Sequence, residues 1–398
     1  MTDDFSLQKV NHQELMKLAL KTTRANQSLM IRGGVGLGKT DSVTELAHIE
    51  AKRLDRELLV WVDLEHDVRV RLAEDDEFLK KHYLLCVFDT LNKLPEDMGG
   101  IPVPQAGGWV EWVPPMLFKI LSKKNAAGVL FLDEFMQAPQ AMQKTCADTF
   151  LNGQIADSRL SRKVAVIAAS NERHDKCGVI ELLEHVKNRM GHCVLLPPSA
   201  RQWVDWAKSK DVLNEDGSIK KSRIDPRILM FIASCPDQLY QPVGNRKEDA
   251  FPTPRSWALT SDLINDVDHE REKTFFLRLV ASRVGSGPAA KFKAVLDHDM
   301  ATLGPQMFQN PQLFRDSAWD RKVAFGMWMS GNAKGGGTPL LNACRFLDDL
   351  GSHDMMDTLL YMMKSTVGTA FLKEIAKISQ YPNARQALVE MAGHLGAA

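Results

Sequence analysis

The chain has 398 residues, 44% of them hydrophobic, with 50 Lys plus Arg against 50 Asp plus Glu. That length predicts two or three domains with ample cores, and the balanced charge gives no global field for nucleic acid or an anionic membrane, so any such contact is local. Six cysteines without a CxxC pair argue against a zinc site or a disulfide framework and predict reduced core thiols.

At the N-terminus, MTDDFSLQ is acidic and lacks the basic-then-apolar order of a signal peptide. No apolar run approaches the ~18 residues that a membrane span needs, so a cytoplasmic protein without membrane contact is expected. From about residue 10 to 200, helical patterns alternate with short β-rich runs, as in a parallel sheet with crossover helices. Strands are predicted over Ser28–Arg32, Leu58–Asp63, Gly128–Leu132 and Val164–Ser170. Val43, Leu46, Ala47, Ala51 and Leu54 form one helical stripe, and Met116–Lys123 a second, short amphipathic stretch. After Pro197-Pro198 the β signal fades into helices broken by Pro and Gly, among them Lys273–Val284 and Met355–Lys364. Asn332–Pro339 reads as a linker or mobile loop, and there is no internal repeat.

Gly33-Gly34-Val35-Gly36-Leu37-Gly38-Lys39-Thr40 fits GxxxxGK[ST] between an apolar strand and an amphipathic helix, which is the context a phosphate-binding loop requires. Its amides and the helix start favour an anion, Lys39 adds a point charge, and Thr40 offers a hydroxyl to Mg²⁺. Val129–Leu132 delivers Asp133 and Glu134 at a strand end, where ligands sit in open α/β sheets. Asp133 is expected to hold Mg²⁺, mainly through water, and Glu134 to act as general base on the attacking water. Asn171 closes the run Val164–Ser170 and is placed either to bond the γ-phosphate or lytic water, or to cap a turn.

The order of these motifs resembles the AAA+ ATPases, and within them the MoxR-like, dynein-related branch of bacterial or phage type. The closer resemblance is carried by Asp97-Met-Gly-Gly-Ile-Pro102, Trp109-Val-Glu-Trp112-Val-Pro-Pro115, Trp203-Val-Asp-Trp206-Ala and Phe251-Pro-Thr-Pro-Arg255-Ser-Trp257. It implies a P-loop parallel sheet flanked by helices over residues 1–199 and an α-helical lid over 200–265. Beyond about residue 265 the change to helical stretches with Gly-rich or Pro-rich joints marks a further helical region, 266–398, which lies largely outside the resemblance, carries no catalytic signature and reads as an oligomerisation or partner-docking module. The resemblance also implies ATP and Mg²⁺ as ligands and a homo-oligomeric ring of six subunits. Arg189 matches the arginine finger that reaches a neighbouring subunit, with Arg159, Arg162 and Arg173 competing for that role. Arg255 matches the second sensor in the lid.

The same resemblance implies an inserted hairpin before the Asp133 strand, confined by the available length to Gln105–Val113. Trp112-Val-Pro-Pro is expected to pack that loop onto the core, with Trp109 more exposed and able to grip a client. Trp203 and Trp206, at i,i+3 spacing, read as lid core. The function implied is a chaperone ATPase that remodels a partner protein, in this family often one with a von Willebrand factor A-like domain. The alternatives are a nucleic-acid motor or helper, resting on the basic runs Lys220–Arg223 and Arg246-Lys247, and a nucleotide-gated scaffold with little turnover, against which Glu134 speaks.

Overall fold

The computed structural model describes residues 8–155, 157–172, 182–213, 219–242, 248–267, 271–296, 300–351, 355–376 and 380–396. The chain divides into two compact units, Met1–Pro198 and Ser199–Ala398.

The first unit opens with β1 (Lys9–Val10) and α1 (His12–Arg24), then β2 (Leu29–Gly33), whose end passes through the glycine loop into α2 (Lys39–Arg53). Next come β3 (Glu57–Val60), α3 (His66–Glu74), α4 (Asp76–Lys80) and β4 (His82–Asp89). They are followed by α5 (Glu96–Gly99), the hairpin β5 (Ile101–Pro104) and β6 (Val110–Val113), α6 (Met116–Leu121) and β7 (Ala127–Asp133). The unit closes with α7 (Gln140–Asn152), the hairpin β8 (Gln154–Ile155) and β9 (Ser158–Arg159), β10 (Lys163–Ser170), α8 (Glu184–Lys187) and β11 (Gly191–Leu195).

Seven strands form one sheet in the order β1-β11-β2-β10-β7-β4-β3, and every neighbouring pair is parallel. This is the expected P-loop sheet flanked by helices and followed by a helical region. Covered on both faces, the central strands are apolar throughout: Gly128–Leu132 of β7 and Val164–Ser170 of β10 are buried at every position. The parallel direction brings the C-terminal ends of β2, β10, β7 and β4 to one edge.

The sequence reading contains no strand at β4 or β11. β4 carries an unbroken apolar run, Tyr83–Phe88, whose period alone does not distinguish a buried strand from a buried helix. The strand predicted over Leu58–Asp63 stops at Val60, because Trp61–Asp63 tightens into a turn of 3₁₀ helix.

The second unit carries α9 (Ala200–Ser209), the small hairpin β12 (Val212–Leu213) and β13 (Ile219–Lys221), α10 (Pro226–Ser234) and α11 (Pro254–Ile264). Then follow α12 (Lys273–Val284), α13 (Ser286–Leu296), α14 (Met300–Gln309), α15 (Pro311–Asp316), α16 (Trp319–Ala333), α17 (Gly337–Leu350), α18 (Met356–Thr366), α19 (Thr369–Ile375) and α20 (Pro382–Gly396). A single hydrophobic cluster runs through these helices from Trp203 to Ala384. Trp203 is buried and stacks on Trp206 at 6.3 Å, as the helical spacing predicts. The segment read as a linker, Asn332–Pro339, is instead a tight joint: α16 runs to Ala333, α17 begins at Gly337, and both helices pack into the cluster.

Cys86, Cys146, Cys193 and Cys344 are buried and Cys235 is half-buried, each outside any disulfide, and Cys177 lies outside the described residues. Burial pushes the Cys86 and Cys146 thiols far up and the Cys193 thiol to about 12, so all three stay protonated. Among the described residues, no helix is long and apolar enough to cross a membrane.

Trp257 anchors the second unit. It is fully buried, donates its indole N–H to Gln238 O at 2.7 Å, and lies 5.4 Å from the Phe231 ring and 6.0 Å from Phe292. Trp257→Ala is expected to cost about 3–5 kcal/mol, read as a lower denaturant midpoint for the second unit, with Trp257→Phe costing less.

Candidate nucleotide site

The loop between β2 and α2 has the backbone that phosphate wrapping needs. Gly36 (φ 75) and Gly38 (φ 84) lie in the left-handed region, where a side chain is strained, and Gly38 caps α2. Lys39 is buried, and its Nζ donates to Gly33 O at 2.8 Å, Gly34 O at 3.0 Å and Asn171 Oδ1 at 2.9 Å. Lys39, at the start of α2, and Asn171, just past the end of β10, are therefore in direct contact.

Thr40 Oγ1 donates to Asp133 Oδ2 at 3.1 Å, which ties the start of α2 to the end of β7. Asp133 Oδ1 accepts the Glu134 N–H at 2.9 Å. Glu134 itself sits at φ 55, ψ 29. The other described non-glycine residues with positive φ are Asn26 and Asp55, types whose short polar side chains tolerate it. Glu134 is not such a type, so its backbone stores about 1–3 kcal/mol that the surrounding strands must hold. Strain of this kind clusters where a side chain has to be aimed.

Thr90 is a site residue absent from the sequence reading. Fully buried just past the end of β4, it donates both its N–H (3.1 Å) and its Oγ1–H (2.7 Å) to Asp133 O. It thereby clamps the peptide on which Asp133 and Glu134 turn. The signal was the missed strand itself, since a run ending in Asp89-Thr90 beside Asp133 places Thr90 at the crevice.

Arg189 follows α8 and is ion-paired with Asp148 on α7. Arg159 and Arg162 are exposed beside the β8–β9 hairpin, and Arg173 lies outside the described residues. Arg255 belongs to the second unit, where it is exposed in the first turn of α11 beside the Thr253–Ser256 capping box. Of the basic runs, Arg223 bonds Asp211 through its N–H and Asp262 through its guanidinium, while Arg246-Lys247 lie outside the described residues.

The expected hairpin is present but longer than Gln105–Val113, pairing Ile101 with Val113, Pro102 with Trp112, Val103 with Glu111 and Pro104 with Val110. Trp112 does not pack onto the core. It is 46% exposed and Trp109 is 63% exposed, along with Ile101, Val110 and Val113. A two-stranded ribbon has no third layer against which to bury an aromatic ring, so both tryptophans stay on its surface.

No family model and no curated protein matches the chain. Among solved structures it is similar to a mutant RuvB of Thermotoga maritima, with a TM-score of 0.35, 16% identity and 77% of each chain covered. It is also similar to the ORC2 protein of Aeropyrum pernix, with a TM-score of 0.35, 13% identity, and 97% of this chain and 93% of that one covered. C. elegans PCH-2 gives a TM-score of 0.30 and 12% identity over 71% of this chain and 66% of that one. Likeness at this level leaves the class to the chain's own features: a parallel sheet with a glycine loop after β2 and an acidic pair where β7 ends defines a P-loop fold.

Thr90→Val keeps the shape and the N–H bond but removes the hydroxyl bond to Asp133 O. The expected result is a loss of about 1 kcal/mol in chemical denaturation, and a larger proportional fall in turnover than in nucleotide affinity, read by titration and steady-state kinetics.

Proposed function

We propose that the chain is an AAA+ ATPase that hydrolyses ATP with Mg²⁺ and works as a ring, six subunits being the number the resemblance implies, to remodel or activate a partner protein. The observation that carries the hydrolytic reading is the pair of bonds Lys39–Asn171 and Thr40–Asp133. These bonds bring the phosphate loop, the acidic strand end and the polar strand end into one crevice with Glu134 adjacent.

The triphosphate would lie along the amides of residues 33–40, with Lys39 exchanging the oxygens of Gly33, Gly34 and Asn171 for phosphate oxygens. Thr40 Oγ1 and Asp133 Oδ2, 3.1 Å apart, are the hard oxygen donors that suit Mg²⁺, with Asp133 acting mainly through water. When bound, that ion supplies neutralisation of charge spread over the phosphate oxygens. Glu134, held by its own strained backbone and by the Thr90 clamp on the preceding peptide, would orient the attacking water and take its proton. Asn171 would bond the γ-phosphate or that water once Lys39 turns to the nucleotide.

Arg189 would complete the site of a neighbouring subunit by stabilising charge on the transferred phosphoryl group. Its partner in the single chain, Asp148, is 61% exposed on its side chain, so exchanging it for a phosphate costs little. Arg255, exposed at a helix start, suits a sensor of the γ-phosphate. The β5–β6 ribbon, with Trp109 and Trp112 open to solvent, suits contact with a client, and a von Willebrand factor A-like domain protein is the partner class that the resemblance supplies.

Purified protein is expected to hydrolyse ATP only with Mg²⁺. Lys39→Ala should lose nucleotide binding, whereas Glu134→Gln should bind nucleotide yet turn over about 10²–10⁴-fold more slowly; equal turnover of Glu134→Gln and wild type would remove Glu134 from the chemistry. A separate expectation concerns the ring. Arg189→Ala and Lys39→Ala subunits, each inactive alone, should regain activity when mixed, because an intact finger then meets an intact loop. Mixtures that stay inactive in a sedimenting oligomer would show that Arg189 does not act across subunits.

A further inference from the structure

Arg32 is the penultimate residue of β2, directly before the phosphate loop, and its register partners are Ser170 on β10 and Val194 on β11. Side chains at one level of a sheet share a face, and residues two apart along a strand do as well. Arg32 therefore lies on the face of Met30, which packs in the core with Met136, Leu182 and Val186. On this face opens a pocket of about 720 Å³ whose walls include Arg32, Met136, Glu184, Lys187, Asn188 and His192. Among the described residues that line it, Lys39, Thr40 and Asp133 of the crevice described above do not appear.

Most charges of this pocket are already matched. Lys187 Nζ is held by Glu184 Oε1 at 2.5 Å, and His192 Nε2 lies 2.7 Å from Lys187 O, which fixes the proton on that nitrogen. Arg32 is the exception. Its side chain makes no ion pair or hydrogen bond among the described residues, and its Nε is sealed from solvent without an acceptor. Ser170, its neighbour across the sheet, is 1% exposed, and its Oγ also has no partner. A guanidinium half-buried in this way is costly unless an anion meets it, and its planar fork matches the two oxygens of a carboxylate or phosphate.

We propose that this pocket binds an oxyanion on Arg32, at a site independent of the phosphate loop. Two sources share that chemistry: a small free anion, or a carboxylate presented by a second copy of the chain. The test uses the full chain carrying Lys39→Ala, which removes the loop's own cation. At constant ionic strength, inorganic phosphate or citrate is expected to raise its unfolding midpoint saturably, where chloride does not. Adding Arg32→Met should weaken that response at least tenfold without lowering the midpoint of the anion-free protein, since it removes an unmatched charge, and Arg32→Lys should retain part of it. Should Arg32→Met fold poorly, Arg32→Gln serves in its place.

If neither free anion binds, weaker self-association of Arg32→Met than of wild type, with the exposed control Lys80→Met unchanged, assigns the oxyanion to a second copy. An anion response that survives Arg32→Met overturns the proposal. So does the absence of any response together with unaltered self-association.

Discussion

The structure of the first unit turns on two contacts made by consecutive residues. Lys39 reaches Asn171 on the strand to one side, and Thr40 reaches Asp133 on the strand beyond it. Neither contact is possible unless β2, β10 and β7 are parallel neighbours in register, since only then do their ends arrive at one level. The apolar faces of those strands thus do more than fill a core. Their burial fixes the register, and the register fixes the separations among the cation, the hydroxyl and the carboxylates.

Much of this was legible because the residues concerned obey strong local rules. A glycine loop between a strand and a helix, and a buried strand that ends abruptly in two acids, each leave a mark within ten residues of sequence. Thr90 left none. Its role depends on β4 lying beside β7, a non-local pairing, and the run Tyr83–Phe88 carries no period that separates strand from helix. The exposure of Trp112 was hidden for a related reason. An aromatic residue beside Val and two prolines reads as core, and only the isolation of the β5–β6 ribbon keeps it in water. Composition likewise made Asn332–Pro339 resemble a linker, whereas packing of the flanking helices reduces it to a three-residue joint.

The two units differ in how they spend their apolar residues. The first buries them on flat sheet faces and leaves its polar residues at strand ends, which produces a crevice. The second interleaves aromatic rings from successive helices, with Phe314, Phe325 and Phe346 within 5.4 Å of one another. Cores of that kind are jigsaws with little slack, and they hold distant segments of chain in one rigid body.

The ribbon carries a further consequence in its prolines. Val103 faces Glu111 and Ile101 faces Val113 in hydrogen-bonded pairs, so the intervening residues direct their backbone groups outward. On β5 those outward positions are Pro102 and Pro104, which have no N–H to offer. A strand approaching that edge finds acceptors only, while the edge of β6 keeps both its donors and its acceptors. An apolar hairpin held out in water would ordinarily invite runaway stacking of strands between molecules. Here one side is closed by its own chemistry, so the protein can display two tryptophans without becoming a template for its own aggregation.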